Sequence, residues 1–151
     1  MTIYGQKQQL KVLFKQVQVF NDDLELMSHW AKYLCVLTSG FIENSVKHYL
    51  LEYSRKKSNS NVFNFTTNNL KKFQNPKMEI ILKLFGSFNE DWRSQLEEFV
   101  EGERKDAVDS IVNNRHNIAH GKSIGLTIIQ MKTFFDRVIE VLDFIEIKCD
   151  C

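Results

Sequence analysis

Apolar residues recur along this chain at intervals of three and four, the spacing of one face of an α-helix. The pattern predicts a helix over 7–20 with Leu10, Leu13, Phe14, Val17 and Phe20 on its inner stripe. Asn21-Asp22-Asp23 then offers an N-cap, with carboxylates in the first turn where the helix dipole favours them. A long helix follows to about Lys57, carrying Leu26, Trp30, Tyr33, Leu34, Leu37, Phe41, Tyr49 and Tyr53 inward. Thr38-Ser39-Gly40 within it either admits a close helix neighbour or marks a kink. Residues 58–69, rich in Asn, Ser and Thr, break the pattern and predict a loop, with Val62, Phe63 and Phe65 as possible anchors. A short helix around 66–74 ends ahead of Pro76. Pro76 suits the first turn of the next helix, where its missing N–H is not needed. Residues 76–86 and 89–101 read as two short helices around Gly86-Ser87. Residues 103–119 read as another, with Ala107, Val108, Ile111, Val112, Ile118 and Ala119 apolar and Gly121 just past its end. The last helix, 126–148, turns Ile128, Met131, Phe134, Phe135, Val138, Val141, Leu142 and Ile145 inward. There is no internal repeat. The expected fold class is all-α, an up-and-down bundle of about five to seven helices forming one domain over 1–151.

Composition narrows the class. A chain of 151 residues is one domain by length and long enough to bury a core without staples. With 43% apolar and 26% charged residues it is not a disordered chain, and one proline with six glycines argues against a turn-rich all-β fold. The cysteines are Cys35, Cys149 and Cys151; their odd number and the terminal C-x-C give neither a disulfide framework nor a zinc site. The C-x-C reads as a solvated tail. No metal or cofactor is expected. No apolar run reaches the roughly 18 residues of a membrane span, and MTIYGQKQQLK has no secretory apolar segment. A cytoplasmic protein with no membrane partner is the expectation. Trp30 and Trp92 read as core.

The net charge of +1 conceals two opposed stretches. Residues 54–83 carry seven Lys/Arg and one acid; residues 89–109 carry eight acids and three Lys/Arg. Arg55, Lys56, Lys57, Lys71, Lys72 and Lys77 can form a phosphate-attracting face or a solvated helix end and loop.

Residues 113–123, NNRHNIAHGKS, concentrate functional side chains at the end of an apolar-striped helix. A helix C-cap accounts for Gly121, but not for two histidines and an arginine together. Arg115 and His120 supply a fixed cation with a planar fork for phosphate oxygens and an imidazole that exchanges protons near neutral pH. RNA carries its own nucleophile, the 2′-hydroxyl, so those two groups suffice in principle for strand cleavage: a base for its proton and a cation for the phosphorane. On an ideal helix, positions 115 and 120 stand roughly 140° apart. Either the helix ends or kinks near Asn117, or a second subunit completes the site. Elsewhere, Glu43 is either an acid that orients Arg115 or part of a solvated face. His29 and His48 lie on one helix, 19 positions apart, with no carboxylate pair at metal spacing. Lys122 and Ser123 either touch RNA backbone or form a plain loop.

The run Arg115-His116-Asn117-Ile118-Ala119-His120 resembles the RNA-cleaving signature of the HEPN superfamily, and RHNIAHG is most similar to its RiboL-PSP branch. The resemblance implies a helical bundle that dimerises, with two motifs meeting at a two-fold interface. It further implies an endoribonuclease leaving 2′,3′-cyclic phosphate and 5′-hydroxyl ends. Arg115 and His120 are then catalytic, with His116 and Asn117 supporting. Lys56, Lys57, Lys71, Lys72 and Lys122 are the candidate RNA contacts. A toxin or phage-defence role with an antitoxin or other neutralising partner follows from the same resemblance. Two rivals stand beside it: a non-catalytic HEPN module binding RNA or nucleotide, and a helical interaction domain.

Overall fold

The computed structural model describes residues 1–18 and 22–150, so Phe20, Asn21 and Cys151 lie outside the described residues. Those residues form seven helices and no strand: α1 (Ile3–Val17), α2 (Leu24–Lys57), α3 (Ser60–Leu70), α4 (Met78–Phe88), α5 (Glu90–Val100), α6 (Glu103–Ala119) and α7 (Ile128–Asp150). The all-α class read from the periodicity is the observed one.

Local chemistry sets the boundaries. Thr2 caps α1, its hydroxyl accepting from the Gly5 N–H at 2.9 Å, so the helix starts four residues before the predicted position. Asp23 caps α2, accepting from the Leu26 N–H at 3.0 Å. Asn89 closes α4 with its backbone N–H and opens α5 with its side chain, which accepts from Asp91 and Trp92. Gly86-Ser87 therefore lies inside α4.

The predicted loop over 58–69 is instead helix α3. Its polar side chains work with the helix: Asn59 caps it, accepting from the Val62 N–H. The Thr66 and Thr67 hydroxyls donate to the Val62 and Phe63 carbonyls, and the Asn69 amide donates to the Phe65 carbonyl. Such side chains compete with a helix only when they bond outside its ladder. Phe65 is no anchor, being 71% exposed, and Val62 is exposed too. The helix stops at Leu70, not 74. Pro76 lies two residues before α4, buried in the connection, and Lys77 takes the cap position.

One hydrophobic cluster joins all seven helices, α3 through Leu70. Gln6 bonds Asn44, while Leu10 shares a cleft with Leu37 and Phe41, so α1 runs antiparallel to α2. Phe14 packs on Phe135 and Lys7 pairs with Asp143, so α7 runs antiparallel to α1 and parallel to α2. Arg104 pairs with Glu140 across α6 and α7, which are antiparallel and joined by residues 120–127. The C-terminal end of α6 therefore shares one end of the bundle with the start of α2, the start of α7 and the end of α1. No helix among the described residues is long and apolar enough to cross a membrane.

Several inward assignments shift in detail. Tyr33 is exposed, its ring stacked on half-buried Trp30 at 5.6 Å. α2 runs unbroken through Thr38-Ser39-Gly40; Thr38 and Ser39 are buried, while Gly40 faces open space and admits no close neighbour. Cys149 is buried in the last turn of α7 rather than solvated.

Candidate active site at the end of α6

Two contacts hold α6 just upstream of the motif. The Cys35 thiol donates to the Ile111 carbonyl at 3.3 Å, the carbonyl that the helical ladder also offers to the Arg115 N–H. Burial pushes the Cys35 thiol up to about 12, so it stays a protonated donor. The Asp109 carboxylate accepts from the Met78 N–H at 2.8 Å and fixes the start of α4 against the middle of α6.

Past these contacts the helix continues to Ala119, and His120 is its C-cap. It neither ends nor kinks at Asn117. The Gly121 N–H donates to the Ile118 carbonyl at 3.1 Å and the Lys122 N–H to the Asn117 carbonyl at 2.9 Å. Gly121 has φ +69°, and the two bonds form a Schellman closure. Gly121 thus stands where the periodicity placed it.

The azimuths of the motif follow from this regular helix. Arg115 lies within about 20° of Val108, seven residues earlier. Val108 is buried in the core, yet Arg115 is exposed. Ala119, about 40° from Arg115, is exposed as well, against expectation. The inward side of α6 has run past the packed core at its last turn, although Ile118 still packs against it. Nearby, Leu24 on the first turn of α2 is 83% exposed and Ile129 on the first turn of α7 is 81% exposed. This end of the bundle therefore carries both exposed apolar side chains and an exposed arginine.

The chain has five arginines. Arg55 pairs with Glu52, Arg93 with Glu90 and Glu97, and Arg104 and Arg137 both with Glu140. Among the described residues, Arg115 alone has no carboxylate partner. Its guanidinium keeps all its donors for an outside anion.

His120 points elsewhere. Its ring lies against that of His116 one helical turn back, centroids 4.3 Å apart and planes tilted by 53°. The structure therefore brings His116 and His120 together, and holds Arg115 apart from both within one chain. Asn117 is half-buried, and Lys122 is exposed just past the cap. Other candidates lie further off. Glu43 pairs with Lys47 at 2.9 Å, two turns along α2 from Cys35 and away from Arg115. His29 approaches Glu25 at 3.9 Å. Lys56 pairs with Asp150 at 3.3 Å, and Lys57 ends α2 beside it. Both sit at the far end of the bundle, about 40 Å from the level of Arg115 at 1.5 Å per residue along α2. Lys71 and Lys72 are exposed in the turn after α3, on the segment that leads to Met78 and so to the middle of α6. No group of three or more His, Cys, Asp or Glu side chains among the described residues is arranged to hold a metal ion.

Sequence reasoning missed Tyr33. Its i,i+3 relation to Trp30 read as core, but it presents a stacked ring at the end of the bundle that carries the motif. Nothing in the periodicity separates the two faces of so long a helix.

Comparison with protein families gives a match to the family model described as RiboL-PSP-HEPN over residues 2–150. Comparison with curated proteins gives no match. Comparison with solved structures gives none either.

Proposed function

The chain belongs to the RiboL-PSP-HEPN family, and from that premise we propose that it is a metal-independent endoribonuclease whose active site is shared between two copies. His120 takes the proton from a ribose 2′-hydroxyl. The freed oxygen attacks the adjacent phosphorus, and Arg115 of the second copy holds the non-bridging oxygens of the phosphorane in its planar fork. The bond to the 5′-oxygen breaks as that oxygen takes a proton from water, leaving a 2′,3′-cyclic phosphate and a 5′-hydroxyl, and His120 then releases its proton to solvent. His116, in ring contact with His120, and Asn117 supply further hydrogen bonds to the phosphate. Lys57, Lys71, Lys72 and Lys122 draw the RNA in, with Lys56 contributing when its pairing to Asp150 loosens.

One observation carries this reading: among the described residues Arg115 stands without a carboxylate partner, exposed on the inward azimuth of α6. An arginine there has either a phosphate or a partner chain to meet. Leu24, Ala119 and Ile129, exposed at the same end of the bundle, suit a second copy. A two-fold axis at this end brings each Arg115 toward the other chain's histidines, which the 140° separation prevents within one chain. We place the protein in stress response or phage defence, as a toxin held in check by a neutralising partner; that setting rests on the family alone.

The separation of Arg115 from His120 inside one chain also suits a HEPN module that binds RNA or nucleotide without cutting it. Incubating the purified protein with mixed RNAs in chelator, followed by end-group analysis, decides between them. Cyclic phosphate and 5′-hydroxyl ends are expected. Intact RNA that stays bound would favour the binding module, and cleavage abolished by chelator would overturn the mechanism given.

A further inference from the structure

The first helix has an unusual charge pattern. Residues 1–21 contain no acid, and Lys7, Lys11 and Lys15 recur every fourth position. That spacing sets them on one strip of α1, about 6 Å apart along its axis. Like charges at this spacing work against the helix. Lys7 is offset by Asp143 at 3.3 Å, but Lys11 and Lys15 have no carboxylate partner among the described residues.

The strip borders a groove of about 430 Å³ between α1 and α7. Lys11, Lys15 and Gln18 line one wall and Lys132 the other, above the contact between Phe14 and Phe135. Its one acid, Asp136, is held by Lys132. Three lysines against one aspartate leave the lining at +2, in a groove at the end of α1 and the start of α7. That is the end of the bundle where α6 presents Arg115 and His120.

We propose that this α1/α7 groove is a binding site for single-stranded RNA, gripping consecutive phosphates with Lys11, Lys15 and Lys132 as the strand leaves the motif. The proposal rests on the nuclease reading above and adds the path of its substrate. Repeated point charges without a base-reading side chain suit a regular polyanion more than one particular peptide. Gln8 and Gln18 add hydrogen bonds that any phosphate or sugar can use. The groove also differs from the 54–83 stretch in layout. There the lysines are spread over the end of α2 and the turn after α3, whereas Lys11 and Lys15 stand one turn apart on a single groove wall, and Lys132 joins them when its pairing to Asp136 loosens.

The test is a salt titration. In a His120→Ala background, which removes cleavage, binding of a fluorescent single-stranded RNA is followed by anisotropy. Lys11→Gln/Lys15→Gln is compared with Lys83→Gln/Lys105→Gln, which removes equal charge elsewhere. The groove variant should flatten the slope of log affinity against log salt by about 1.4, at roughly 0.7 for each phosphate no longer neutralised, and the control should not. Its thermal midpoint should hold or rise, because a like-charge pair has gone. An unchanged slope, or equal flattening in the control, would overturn the groove. So would polyglutamate that outcompetes RNA there, since the occupant would then be an acidic protein. Cleavage by the unmutated protein is scored separately. Cleavage with no slope change sinks the groove alone, whereas a slope change without cleavage sinks the nuclease reading alone. A protein that binds no RNA sinks both.

Discussion

The two ends of this bundle handle charge in opposite ways. At the end formed by the start of α1 and the ends of α2 and α7, charged groups are mostly spoken for. Lys7 pairs with Asp143, Lys56 with Asp150 and Arg55 with Glu52. The Tyr49 hydroxyl donates to Glu146, and burial together with that carboxylate holds the phenol well above its usual range. At the other end Lys132 pairs with Asp136, but Arg115, Lys11, Lys15 and Lys122 have no carboxylate partner among the described residues, and Leu24 and Ile129 are bare. Both ends are built from the same helices, so helix propensity does not explain the contrast. Surface ion pairs add little stability, but they do fix where a chain has nothing further to bind. On the reading proposed above, the end that carries unpaired cations and bare apolar groups is the one that meets RNA and a second copy.

The sharpest way to break this contrast is to mutate each end and assay cleavage. His120→Ala and Arg115→Ala should each lower RNA cleavage by roughly a hundred- to ten-thousand-fold. Both side chains are exposed, so unfolding curves should hardly move. Arg115→Lys should remain badly impaired, because a point charge does not reproduce the bidentate fork. Tyr49→Phe at the paired end should leave cleavage within a few-fold of normal. If it falls as far as His120→Ala does, the contrast between the ends is wrong.

A shared site makes a second expectation. Mixed and reassembled Arg115→Ala and His120→Ala chains form some dimers in which one site keeps both groups. Activity should return to about a quarter of the unmutated level, given random pairing and one intact site in each mixed dimer. Two inactive proteins that stay inactive when mixed would place Arg115 and His120 in the same chain's site.

Gly121 joins the open end to the bundle. Its φ of +69° lets the Schellman closure form, and a β-carbon there costs roughly 1–2 kcal/mol. Gly121→Ala should lower stability by that amount in denaturant melts. It should also lower cleavage, because His120 is the cap residue that the closure orients.

The two halves of this assignment are not equally legible in the sequence. Gly121 is readable because helix-end chemistry is local: an apolar stripe, then a residue free to take positive φ. The core of α7 is readable for the same kind of reason, since a stripe of eight apolar residues leaves little choice of face. α3 is misread because Asn and Thr bond either inside or outside a helix, and only the completed ladder decides. The exposure of Arg115 is hidden more deeply. Its azimuth is that of Val108, so periodicity assigns it to the core side; only the register of α6 against α2 shows that the core has ended by then. The charge contrast likewise depends on which helix ends meet, as with Lys56 and Asp150, 94 positions apart.

Cys35 gives a smaller and purely thermodynamic check on the clamp upstream of Arg115. Burial raises its thiol from 9.0 to about 12. Between those values the unfolded chain loses the proton while the native chain keeps it. The native state then binds more protons, so stability falls as pH rises through this window and is fully present below it. The loss should reach roughly 1–2 kcal/mol near pH 10. Cys35→Ala should remove most of that slope in pH-dependent denaturant midpoints; an unaltered slope would assign it to other groups, Tyr49 first.

The smallest expected effect lies midway between the two ends. Gly40 sits inside α2, the 34-residue helix that spans both, and a β-carbon added there meets nothing within 4 Å. Glycine inside a helix weakens it because the unfolded chain has more freedom to lose. Gly40→Ala should therefore stabilise the protein by roughly 0.5–1 kcal/mol. Cleavage should not change, because the open end draws its character from unpaired charge and bare surface rather than from a soft helix. A matched pair of measurements, denaturant midpoint and cleavage rate, checks this. If stiffening α2 slows cleavage in proportion to the stability gained, the catalytic end depends on bending of the strut, and the two ends are mechanically coupled rather than merely different in charge.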